Sequence, residues 1–185
     1  MRHRTTYLLA GLLAIALGGC GDDSAASTAA PTQGGPPTVA IGVRDYAFDD
    51  VPRTITAGTA IAITNTSAKE VHELTAFRLS DDEARPLPEL QALPPAELGA
   101  LLPGAPALAL FAAPKAKGQL VLGDRSLREP GRYVLVCFIP IGAKPDDVLA
   151  ALKKAAANPD SGPPQIDGGP PHVTAGMIAE IRVVP

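Results

Sequence analysis

Proline and glycine punctuate this chain along most of its length, and that limits its fold more than any other feature. Twenty prolines and 18 glycines are spread over 185 residues and fall between short apolar runs. Proline removes a backbone donor, and glycine weakens any regular element it interrupts, so a bundle of long helices is disfavoured. Short apolar runs bounded by such residues read as strands and turns, and the pattern predicts an all-β fold. With 46% hydrophobic and 19% charged residues and a formal net charge of -3, the composition fits a soluble globular domain. It lacks the basic surface that a nucleic-acid partner needs.

Alternation locates the strands. Val39, Ile41 and Val43 open the first, within 38–48. Residues 51–67 give a short strand, a turn at Ala57-Gly58 and a second strand through Ile61 and Ile63. In 69–80, His72, Leu74, Ala76 and Arg78 share one side, with His72 near the strand's start. "EPGRYVLVCFIP" is a Pro-Gly turn followed by a strand with Tyr133, Leu135 and Cys137 on one face and Val134, Val136 and Phe138 on the other. Both faces are apolar, as in a strand covered on two sides. The last strand, "MIAEIRVVP", turns Met177, Ala179, Ile181 and Val183 one way and Glu180 and Arg182 the other.

The N-terminus does not belong to the fold. Arg2 and Arg4 precede an apolar run from Tyr7 to Leu17, too short for the roughly 20 residues of a membrane span. It has the form of an export signal. Leu17-Gly18-Gly19-Cys20 then matches a bacterial lipobox, which predicts a signal peptide over 1–19 and lipidation of Cys20. Each buried CH₂ of the acyl chains contributes about 0.8 kcal/mol, so two or more chains hold a protein firmly at a membrane. Residues 20–37 read as the lipidated Cys and a flexible tether of small, polar and breaker residues, and 38–185 as the folded domain. The expected location is extracytoplasmic, anchored to a bacterial membrane.

Processing leaves few metal-binding side chains. Without residues 1–19, and with Cys20 lipidated, the domain keeps His72, Cys137, His172 and Met177 as its histidines, free cysteine and methionine. An unpaired Cys is unusual in an oxidising compartment and suggests a functional thiol. Two imidazoles, one thiolate and one thioether are the ligand set of blue-copper electron-transfer centres, trigonal His₂Cys with a weak axial Met. Cys plus two His also suits zinc. Copper is favoured by its higher affinity for such donors and by the Met, which zinc seldom uses. All four residues fall near strand ends or in the adjoining loops, so they can converge at one pole of a sandwich.

These segments resemble the cupredoxins, the plastocyanin and azurin family. "YAFDDVPRTITAGTAIAITNTS" resembles the family's first sheet, "VHEL" the segment of the first His ligand, "EPGRYVLVCFIP" the strand ending in the Cys ligand, and "PPHVTAGM" the segment with the second His and axial Met. The resemblance implies an eight-stranded Greek-key sandwich holding one type 1 copper at His72, Cys137, His172 and Met177. It also implies an exposed His172 edge, among Pro170, Pro171 and Val173, as the exit for electrons. Two features depart from the family. Residues 138–171 separate Cys137 from His172, where members have only a few, and "PDDVLAALKKAAANP" within them reads as a short helix. Glu73 follows His72, where the best-known members carry an Asn that ties the ligand loops together. A second insertion, roughly 81–117, has leucines at 90, 93, 98, 101 and 102 that suggest short helical turns packed on the sandwich.

The expected function is that of a membrane-anchored one-electron carrier, monomeric, serving redox partner proteins at the membrane surface. The alternative is a lipoprotein module that binds or delivers copper without redox cycling, or binds no metal. An enzyme is not expected. Two histidines cannot build both an electron-transfer site and a second site for oxygen or nitrite chemistry, and the sequence has no G-x-S-x-G, H-E-x-x-H or phosphate-loop motif.

Overall fold

In a computed structural model, which describes residues 35–102, 104–158 and 164–185, strands dominate. The expected signal peptide, Cys20 and most of the tether lie outside the described residues. In chain order the strands and helices are β1 (Thr38–Arg44), β2 (Ala47–Asp49), β3 (Thr54–Thr56), β4 (Thr59–Asn65), β5 (His72–Arg78), α1 (Leu87–Gln91), α2 (Pro95–Ala100), β6 (Leu108–Ala112), β7 (Gln119–Leu122), β8 (Ser126–Leu127), β9 (Gly131–Val136), α3 (Pro145–Ala157) and β10 (Ile178–Val184). A 3₁₀ turn, His172–Ala175, leads into β10. The turn between β3 and β4 needs Gly58, whose φ of 82° lies in the left-handed region that side chains disfavour.

Two sheets form, in the orders β2-β1-β4-β8 and β3-β10-β9-β5-β6-β7. The pairs β1–β4 and β3–β10 are parallel, and all other pairs are antiparallel. The chain changes sheet at the β2–β3, β3–β4, β4–β5, β7–β8 and β8–β9 connections. This is the crossing pattern expected of a Greek-key sandwich. Two details differ from expectation. There are ten strands among the described residues rather than eight, because β2 and β8 are edge pieces of 3 and 2 residues. And β3 joins the second sheet, so the segment expected to build the first sheet divides between the two.

Ile41, Val43, Ile61 and Ile63 from the first sheet pack against Leu74, Leu110, Leu135 and Ile181 from the second. Each such side chain, fully buried, stabilises the fold by about 1.5–3 kcal/mol relative to exposure. Tyr133, Leu135 and Cys137 all face this core, as the alternation predicts. The opposite face of β9, Val134 and Val136, packs with Leu90, Leu98 and Leu102 in a second apolar cluster. That explains why β9 is apolar on both sides. Both covering helices carry Pro in their first turn, where its missing N–H has no intrahelical partner to lose. The excursion is shorter than expected, because Leu108–Ala112 is a strand paired with β5 rather than part of an insertion.

The 138–171 excursion is closed at its base. His172 N–H donates to the Ile139 carbonyl at 3.0 Å, Ile141 N–H to that of Pro170 at 3.0 Å, and Gly169 N–H to that of Ile141 at 2.9 Å. Pro140 and Pro171 form an antiparallel bridge between them. Beyond this neck, α3 buries Val148 in the main core, and Leu149 and Leu152 pack against it. Asp146 and Asp147 lie in the first turn of α3 and Lys154 in its last, matching the helix dipole as expected.

The neck depends on close backbone approach at Gly168. A Cβ there would lie 2.5 Å from the Pro140 Cβ. Gly168→Ala should therefore destabilise the protein by about 1–3 kcal/mol through overpacking, read from chemical denaturation midpoints. An unchanged midpoint would show that the neck yields freely.

Candidate metal centre

Three side chains meet where the neck joins the sandwich. His72 is the first residue of β5, Cys137 directly follows β9, and His172 opens the 3₁₀ turn. Each has no exposed surface. His72 Nδ1 and His172 Nδ1 are 3.1 Å apart, and Cys137 Sγ is 3.3 Å from His172 Nδ1. The three donors lie within 4.8 Å of one another. Two nitrogens each about 2.0 Å from one metal, at an angle near 100°, stand about 3.1 Å apart, and a sulfur at about 2.3 Å stands about 3.3 Å from either. The donor set thus fits a metal ion in both chemistry and spacing.

Met177 lies one residue before β10 rather than within it, and is fully buried in the inter-sheet core on the side shared by Ile181 and Val183. Its backbone connects two of the three donor residues. Met177 N–H donates to the His172 carbonyl at 3.2 Å, and the Met177 carbonyl accepts from Cys137 N–H at 3.3 Å. Val173 N–H completes the link with a 2.9 Å bond to the Cys137 carbonyl.

Glu73 does the tying that its position demands. Its backbone N–H donates to Cys137 Sγ at 3.4 Å, and its carboxylate Oε1 accepts from Phe138 N–H at 2.9 Å. The cysteine is therefore bracketed on both sides by one residue of β5. Asn65, at the end of β4, donates to the carbonyls of Glu70 at 2.9 Å and Ala112 at 3.0 Å, pinning the segment before His72.

The expected exposed histidine edge is not found. His172 is enclosed, with the Tyr46 ring packed edge-on to it at a centroid distance of 5.0 Å. Tyr46 lies in the tight turn between β1 and β2, and its φ of 64° is uncommon for a bulky residue. Glu70 Oε2 lies 3.5 Å from His172 Nε2, and Asp45 Oδ1 lies 3.7 Å from His72 Nε2. Pro170 is exposed and Pro171 half-buried, but neither leaves the ring open. Asp45, Tyr46 and Glu70 are not among the residues that the sequence pattern points to. The spacing of Glu70 and His72 at i and i+2 was a usable signal for one of them, while the turn residues carried none.

Burial sets the protonation states. It lowers the His72 pKa to about 4, helped by the neighbouring His172, and burial lowers that of His172 as well. Burial raises the Cys137 thiol well above its ordinary value, and the Glu73 charge adds to this. The metal-free site is thus neutral imidazole and protonated thiol, and a bound cation would displace the thiol proton. Burial also pushes Glu73 up to about 7, against the opposing hydrogen bond from Phe138.

No protein-family model and no curated protein matches the chain. Among solved structures it is similar to reduced auracyanin from the photosynthetic bacterium Roseiflexus castenholzii, with 19% identity over 82% of this chain and 100% of that one, at a TM-score of 0.43. It is also similar to auracyanin A, a "blue" copper protein from Chloroflexus aurantiacus, with 18% identity over 81% and 100% and a TM-score of 0.44. A multi-copper oxidase from Pediococcus acidilactici aligns with 11% identity over 85% of this chain and 28% of its own, at a TM-score of 0.35. Similarity at these levels leaves the reading of the site to its own geometry.

The shifts fix a sign for the pH dependence of the metal-free protein. Below pH 6.5 the unfolded chain takes up a proton that folded His72 refuses until about 4, so stability is lost as pH falls through that range, and the lowered pKa of His172 acts in the same direction. Glu73 opposes this: folded it keeps its proton to about 7, unfolded it loses it near 4.5, so it reduces stability as pH rises between those values. In Glu73→Gln the urea midpoint of metal-free protein should rise from pH 5 to pH 6.5, and more steeply than in the wild type. A flat profile unchanged by Glu73→Gln would contradict these assignments.

Proposed function

We propose that the chain is a type 1 copper protein that carries single electrons, with His72, Cys137 and His172 as the trigonal ligands and Met177 as the weak axial one. The observation that carries this reading is the fully buried His-Cys-His cluster, with its donors 3.1 and 3.3 Å apart. Copper held there would supply a Cu(I)/Cu(II) couple. The chain supplies the rest: a thiolate and thioether that suit Cu(I), imidazoles that suit both states, and a dry, rigid pocket. Donors already in place need little rearrangement when the charge changes.

Enclosure favours a carrier over a copper-delivery module. Tyr46, Glu70 and the neck surround the histidines, so releasing the ion would require opening the fold, whereas an electron can cross a closed shell. Both histidines outside residues 1–34 belong to this one cluster, which leaves none for a catalytic copper site. This supports a carrier rather than an enzyme.

The lipobox at Leu17–Cys20 supports placing the monomeric domain on the extracytoplasmic side of a bacterial membrane, anchored by lipid at Cys20. A tether of this composition spans roughly 20–25 Å, enough to let the domain turn toward redox partners at the same surface. Among the described residues no helix is long and apolar enough to cross a membrane.

A redox titration tests the carrier reading. One copper per chain should cycle reversibly through one electron, and Met177→Leu should keep the absorption while shifting the potential, because an axial thioether tunes the couple without creating the colour. An irreversible or silent copper would contradict the carrier role. An unmoved potential in Met177→Leu would remove Met177 from the ligand set.

A further inference from the structure

The Nε2 atoms of His72 and His172 are the buried side-chain polar atoms that lack a hydrogen bond among the described residues. Buried polar groups are nearly always paired, so two orphans in one site ask for an explanation. Each faces a carboxylate: Asp45 Oδ1 at 3.7 Å from His72 and Glu70 Oε2 at 3.5 Å from His172. Among the described residues these rings are the only cationic-type side chains within 4.0 Å of either carboxylate.

Each carboxylate is held by a hydrogen-bond donor from another segment. The Ser67 hydroxyl donates to Asp45, and the same oxygen accepts the Glu70 N–H at 3.0 Å. Ser67 N–H is in turn fixed by Asn65 Oδ1 at 2.8 Å. Gly142 N–H, from the loop beyond the neck, donates to Glu70 Oε2 at 3.1 Å. Three separate chain segments thus aim two anions at two ring edges.

We propose that Asp45 and Glu70 are positioning residues of the metal centre, each accepting the Nε2–H that a cation bound at Nδ1 leaves on His72 and His172. This rests on the metal-centre reading above. A histidine that gives Nδ1 to a metal must carry its proton on Nε2, and a buried proton needs an acceptor. The present separations exceed hydrogen-bond length and close with a shift of about half an ångström. Such an arrangement fixes the tautomer, holds the ring planes and makes each imidazole a stronger donor. It also accounts for the loss of the exposed histidine edge: the edge is occupied by its acceptor.

Zn(II), diamagnetic and redox-inert, is the probe, added to the full chain and to Glu70→Ala, Glu70→Gln and Asp45→Asn. The wild type should show two slowly exchanging ring N–H signals by ¹H–¹⁵N NMR. Glu70→Ala should lose the His172 signal and bind Zn(II) about 10–100-fold more weakly in a chelator competition. Glu70→Gln, which still offers an oxygen and preserves the shape, should recover part of both. Asp45→Asn should perturb the His72 signal alone. Equal affinity and unchanged ring signals in all variants would overturn the proposal, and so would a wild type that binds no Zn(II). Failure of the copper-carrier reading is separately visible, as Zn(II) binding that persists in a protein whose copper complex does not cycle.

Discussion

The structure depends on a short backbone pairing that neutralises a long detour. Cys137 and His172 are separated by residues 138–171, yet their donor atoms are 3.3 Å apart. Loop-closure entropy alone makes such an approach unfavourable, although its cost grows only slowly with length. The hydrogen bonds of Ile139, Ile141, Gly169 and His172, with the bridge between Pro140 and Pro171, close the loop at its base. Beyond the neck the excursion contributes at two points, Val148 in the main core and Gly142 N–H at Glu70. The local geometry of the site is as tight as if Cys137 and His172 were near neighbours.

That neck matters because the site is expensive to bury. Two imidazoles and a thiol with no exposed surface sit in a sandwich whose other inward side chains are almost all apolar. An unpaired buried polar atom costs about 1–3 kcal/mol, and both Nε2 atoms lack a hydrogen bond. The fold offsets this with two apolar clusters, one between the sheets and one where α1 and α2 cover the outer face of β9. The second cluster makes β9 a strand buried on both faces, which gives Cys137 a rigid support. A strained, partly unsatisfied pole on a well-packed body is the arrangement expected where binding rather than stability has shaped a sequence.

Much of this was legible in the residues. Alternation in 130–140 and 177–185 placed Cys137 and Met177 on the core side, and Pro and Gly marked the turns. The order His72, Cys137, His172, Met177 marked the candidate ligands because the domain has no spare soft or imidazole donors, and the structure brings the two histidines and the cysteine together. What could not be read depends on long-range pairing. β3 and β4 look like one segment in sequence, but their partners, β10 and β1, lie in different sheets. Leu108–Ala112 reads as the tail of an insertion until β5 is beside it. The enclosure of His172 is invisible locally, because Tyr46 and Glu70 reach it from distant segments, and a left-handed tyrosine has no sequence signature. Local pattern records which face of a strand is buried, not which strand lies next to it.

The central claim is that these donors make a copper–thiolate centre, and the visible spectrum tests it most directly. One equivalent of Cu(II) added to the full chain should give an intense blue charge-transfer band, since that absorption arises from the Cu–S bond itself. Cys137→Ser should abolish the band while leaving the fold intact. A colourless wild type, or weak colour that survives in Cys137→Ser, would contradict the account and leave the buried His-Cys-His cluster as scaffold.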